Sequence, residues 1–187
     1  MEPGTLDQDQ IATLEAFADT IVPGEKRHPG DRAIAGAAEG PGAVEAGALA
    51  LLNTPATGVT IGLPYLAAAL NGHAINYADQ HGITLDETVP AFVALGFADR
   101  TTLVRSLVAP GHPEKEGWVG LALFCNMSYD SAAHMHTVDA IAAGHPGLIA
   151  MGWKLPDPDG LWRFPNYGYG RKLADVHPNT TPSGSPA

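Results

Sequence analysis

The chain has 187 residues, 45% of them hydrophobic, with 20 acidic and 10 basic side chains and a formal net charge of −10. That length suits one domain burying roughly 70% of its unfolded surface, and the apolar content excludes a disordered chain. The missing Lys/Arg cluster argues against a nucleic-acid partner, and the lone cysteine, Cys125, leaves no internal disulfide.

Ala and Leu dominate the apolar set and β-branched residues are sparse, which favours helix over sheet. Thr5 and Gln8 match a capping box, and Ile11, Leu14, Phe17 and Ile21 follow helical spacing. Val22-Pro23-Gly24 predicts a sharp stop. Residues 24–40 read as a polar, glycine-containing loop. Pro41 suits the first position of a second helix with Val44, Leu49 and Leu52 as its apolar positions. Residues 54–62 read as a linker.

A third helix is predicted from near Pro64 to His81, stopped by Gly82, with Leu63, Leu66, Leu70, Ala74 and Tyr77 as its stripe. Short helices follow around Val89–Leu95 and Asp99–Val108, and residues 109–113 break the chain. Trp118–Met127 is apolar nearly all round, the pattern of a helix buried on most sides. Ser128 or Asp130 then suits the cap of a further helix ending near Ala143, with Gly144 and Pro146 as stop signals. The expected fold is all-α: one domain over residues 1–177 with five to six helices. Within it, residues 145–177 form an irregular, aromatic-rich segment that either wraps the helices or meets a partner. Residues 178–187 read as a disordered tail.

The N-terminal residues show no basic region followed by an apolar run, and no apolar stretch approaches the ~20 residues of a membrane span. A cytoplasmic protein is expected, with export alongside a partner left open. No dinucleotide fingerprint, P-loop, nucleophile elbow or HExxH motif occurs. Cys125 lies in an apolar run and reads as core. His134, His136 and His145 are the metal candidates, and Asp130, His134 and His136 the acid–base candidates. His134 and His136 stand two apart and point to different sides of a helix, so no simple metal site is expected. Asp130 and His134, four apart, share a face, and solvated caps and exposed charges are the expected roles of the acid–base candidates. Trp153, Trp162, Arg163, Phe164, Tyr167, Tyr169 and Arg171 are residue types enriched in interface hot spots and form the candidate partner surface.

The stretch Leu14-x-x-Phe17-Ala18-Asp19-Thr20-Ile21-Val22-Pro23-Gly24, followed by Pro41-Gly42-Ala43-Val44-Glu45-Ala46-Gly47, resembles the gluconate 2-dehydrogenase subunit 3 family. The likeness is strongest over residues 11–53. Phe92-x-x-Leu95 with Asp99-Arg100-x-x-Leu103-Val104 is similar to a later helix of that family, and residues 144–169 match its C-terminal end loosely. The resemblance implies a non-catalytic helical small subunit. Its partner would be a FAD-dependent oxidoreductase large subunit of the glucose–methanol–choline type, which binds the flavin and transfers the hydride. It implies no catalytic residue and no cofactor in this chain. Many members begin with a twin-arginine export signal, which this sequence lacks. The alternative is a stand-alone small enzyme or ligand-binding protein that uses the His134/His136/His145 region and the C-terminal aromatics.

Overall fold

A computed structural model describes residues 6–159 and 178–181. The chain divides into a unit that runs to Trp153 and a second that begins at Lys154. All helices among the described residues belong to the first unit, so the all-α expectation holds.

Helix α1 (Gln8–Ile21) starts two residues later than expected. Its capping box is formed by Asp7 and Gln10 rather than Thr5 and Gln8. The Gln10 N–H donates to Asp7 Oδ1 (2.7 Å), and the Asp7 N–H donates to Gln10 Oε1 (3.0 Å). The sequence repeats the box pattern in a second frame, and that frame places Leu14 and Phe17 fully in the core. Val22 is extended (φ −131°, ψ 92°) ahead of Pro23, and the helix stops there.

The second helix departs further from expectation. Pro41 does not open it. Residues 43–47 form turns, and α2 covers only Ala48–Leu52, after a left-handed Gly47 (φ 87°). The cause is a crossing of two backbone turns. The Ala43 N–H donates to Val22 O (2.9 Å) and the Glu25 N–H donates to Gly40 O (2.9 Å). Gly24 and Gly42 lie face to face at the crossing. A Cβ on Gly42 would sit 2.6 Å from the Gly24 nitrogen, and one on Gly24 would strike the Gly42 backbone. Both Pro-Gly pairs therefore exist to let two chain segments touch, which costs the second one its first helical turn.

Helix α3 (Leu63–His81) carries Pro64 in its first turn and ends on a left-handed Gly82 (φ 65°), as predicted. Its fully buried face is Leu63, Ala67, Leu70, Ala74 and Ala78, with Leu66 and Tyr77 at the margins. Helices α4 (Ala91–Ala94) and α5 (Phe97–Leu107) match the two short helices. Helix α6 (Lys115–Asp130) corrects two expectations. It is buried along one face only, through Trp118, Leu121, Cys125 and Ser128, while Leu123 is 56% exposed. Ser128 and Asp130 cap nothing downstream, because α6 continues through both. The next helix, α7 (Thr137–Ala142), opens after His136 instead. Gly144 stops it, and Pro146 opens α8 (Pro146–Ala150), so the region expected to be irregular from residue 145 begins with a helical turn.

Helices α1 to α6 enclose one main core. A buried charge pins the 24–40 loop to it. Arg100 is 3% exposed and donates to five backbone carbonyls: Phe92 and Leu95 from Nε, Ala33 from Nη1, and Arg32 and Val93 from Nη2. Asp19, equally buried, accepts the N–H groups of Gly24 (3.2 Å) and Ala35 (2.9 Å). Burial raises the Asp19 carboxyl above its ordinary range, and it depresses the Arg100 guanidinium, whose charge the nearby Asp19 supports. Arg27 closes the loop from outside. It grips both carboxylate oxygens of Glu15 (2.8 and 2.7 Å) and reaches Asp31 (2.7 Å).

Candidate functional site

The structure brings two of the three suspected histidines together. The rings of His134 and His145 lie 5.7 Å apart. His145 is buried at the N-terminus of α8. Its Nδ1 accepts the Leu148 N–H (3.3 Å), which assigns the ring proton to Nε2, and Nε2 donates to Ala46 O (2.9 Å). His134 covers the next residue. Its ring presses on Gly47, where a Cβ would fall 2.6 Å from His134 Nε2. Both imidazoles thus grip the Ala46–Gly47 link that leads into α2, fastening α7 and α8 to the opening block of the chain. Ser128 of α6 is buried beside the same block, with Oγ 3.5 Å from Ala43 O.

His134 Nδ1 is buried with no hydrogen-bond partner among the described residues, and none of them orients the ring as a carboxylate orients a general base. Burial, and then the neighbouring His145, push the His134 pKa down. His136 is separate: it is exposed and precedes α7 as its N-cap residue. Asp130 is spent on Asn126, whose Nδ2 donates to Oδ2 (2.7 Å). Among the described residues, no group of three or more His, Cys, Asp or Glu side chains is placed to hold a metal ion. Cys125 is fully buried, and its thiol is pushed up to about 12 by that burial, which suits packing and not nucleophilic attack.

The segment held down by the histidine pair carries a different kind of chemistry. Seven of the eleven exposed large apolar side chains among the described residues lie between positions 123 and 153. They are Leu123, Met127, Met135, Val138, Ile149, Met151 and Trp153, each between 37% and 63% exposed. Only Trp153 was singled out by sequence reasoning. Leu123 and Met127 stand four apart on α6, in a run whose composition predicts burial on most sides. Trp162, Arg163, Phe164, Tyr167, Tyr169 and Arg171, the other expected interface residues, lie outside the described residues.

A family model described as a family of unknown function (DUF5987) matches residues 8–187. The chain belongs to that family. No curated protein matches it, and no solved structure does. The match spans the crossed Pro-Gly turns, the histidine seam and the apolar segment alike, so all three fall within the shared family region. No helix among the described residues is long and apolar enough to cross a membrane.

Proposed function

We propose that the chain is a non-catalytic helical subunit that docks, through the apolar side chains of α6–α8, on the large subunit of a FAD-dependent oxidoreductase. The observation that carries the docking reading is the concentration of exposed Leu, Met, Val, Ile and Trp side chains between residues 123 and 153. Apolar side chains gathered in this way mark interaction surfaces more often than chance exposure. Met is well suited to such a surface because its side chain adapts to the partner. The flavoprotein as partner rests on the resemblance of residues 14–47 to the gluconate 2-dehydrogenase subunit 3 family.

Co-expression with a glucose–methanol–choline-type flavoprotein of the same genome, followed by size-exclusion chromatography, tests the reading. Co-elution of the two chains, with flavin retained by the larger, is the expected result. Separate elution, with the flavoprotein fully active alone, would sink it. A second reading is a small enzyme centred on His134 and His145, and it is favoured by their ring contact. It requires a turnover that disappears in His134→Ala while the fold survives.

A further inference from the structure

Beside its buried face, α3 carries a polar one. His73, Asn76, Tyr77 and Gln80 stand at i, i+3, i+4 and i+7, one side of the helix. With Leu103, Ser106 and Leu107 of α5 and His112 of the following turn, they line a cleft of about 230 Å³. A gap between packed helices is ordinarily filled by apolar side chains. Here only the two leucines are apolar, and both are buried. The space equals roughly seven or eight water volumes at ~30 Å³ each, smaller than a drug-sized site.

The hydrogen bonds around the cleft have a consistent direction. Tyr77 Oη donates its proton to Asp99 Oδ1 (3.1 Å), and Ser106 Oγ donates to Leu103 O (2.6 Å). His73 Nε2 lies 2.7 Å from Glu114 Oε2, which also accepts Trp118 Nε1–H (3.0 Å) and is fixed by it. His73 and Trp118 hold the Glu114 carboxyl below its ordinary range. Three lining groups have therefore committed a proton to an acceptor of the protein itself. Lone pairs remain on the phenol oxygen and the serine oxygen. Asn76 and Gln80 each add an amide oxygen as acceptor and an amide N–H group as donor. Asp99 and Glu114 place two carboxylates directly behind the lining. His112, whose Nδ1 accepts the Glu114 N–H (3.2 Å), keeps Nε2–H as the one ring donor.

We infer that the cleft formed by His73, Asn76, Tyr77, Gln80, Ser106 and His112 is a binding site for a small organic cation with N–H donors, of the alkylammonium class. Its acceptors match ammonium protons, and the two carboxylates favour positive charge. The size admits only a few heavy atoms. The formal charge of −10 raises the local concentration of such a ligand. The site is independent of the docking face on α6–α8 and would stand if the flavoprotein reading fell.

Histidine side-chain NMR on the full chain, titrated with putrescine and with butanediol as its neutral counterpart, tests the assignment at about 0.15 M salt. Saturable shifts of His73 and His112 are expected with the diamine, with Kd on the order of 1 mM, and at least about tenfold weaker binding of the diol. Ser106→Ala and Tyr77→Phe should each weaken the diamine severalfold while the circular dichroism melt stays unchanged. If one variant does not fold, the other decides. Three results would overturn the proposal: no saturable shift, a diol that binds as well as the diamine, or shifts that Ser106→Ala and Tyr77→Phe leave intact.

Discussion

Gly47 meets two demands at once. Its backbone is left-handed (φ 87°), and its missing Cβ makes room for the His134 ring. Gly47→Ala is expected to cost about 1–3 kcal/mol, read from the urea midpoint. Adding His134→Ala should recover part of that loss. Strict additivity of the two would show that the ring contact is not the cause. His134 also sets a pH dependence. Its folded-state pKa is lowered by burial and then by His145, so the unfolded chain binds its proton more readily. The contribution is fully present above the unfolded value of about 6.5 and is lost as pH falls towards the folded one. Urea midpoints in wild type should therefore drop from neutral to mildly acidic pH, and His134→Gln should flatten that slope. An unchanged slope would remove His134 from the account. Sequence spacing placed His134 and His136 on one helix, whereas both lie in the turn that precedes α7. It could not show that the turn at Gly144 brings His145 back beside His134, because that approach depends on where α8 packs.

The crossed Pro-Gly turns explain at the level of elements why α3 was legible and α2 was not. Helix α3 contains its own instructions: a proline in the first turn, one apolar stripe and a glycine stop. Helix α2 has the right local signal at Pro41, but the backbone around Gly42 is engaged by Val22 and Gly24, far away in sequence. Tertiary contact overrides a helix-starting proline there. Gly42→Ala should destabilise the fold by about 1–3 kcal/mol, as overpacking does, with lower thermal stability and intact helicity below the transition. The loop between the turns depends on Arg100. Arg100→Met removes the donors of five carbonyls, four of them buried, and the charge near Asp19, and should cost on the order of 3–5 kcal/mol in urea denaturation. A change below about 1 kcal/mol would mean that water replaces the guanidinium.

For the molecule as a whole, the proposed docking role rests on the exposed apolar side chains between residues 123 and 153. Leu123→Asp with Met127→Asp changes exposed positions, so the melting temperature should move little. Co-elution with a flavoprotein partner should be lost. Loss of folding instead would show that the two side chains act within the chain's own core. The apolar run Trp118–Met127 predicts burial on most sides, whereas Leu123 and Met127 are exposed. A run of apolar residues specifies how much surface avoids water, but not whether the same chain or another one covers it.

Composition and periodicity determined the helical class, the extent of α3, the short helices α4 and α5, and the core role of Cys125. Each depends on local backbone preference or on apolar spacing within one segment. The tertiary structure decided the shortening of α2, the seam between the two histidines and Ala46–Gly47, the burial of Arg100 and the one-sided exposure of α6. Each of these arises where residues distant in sequence compete for the same space or the same hydrogen-bond partner. No pattern within a single segment records the outcome of that competition.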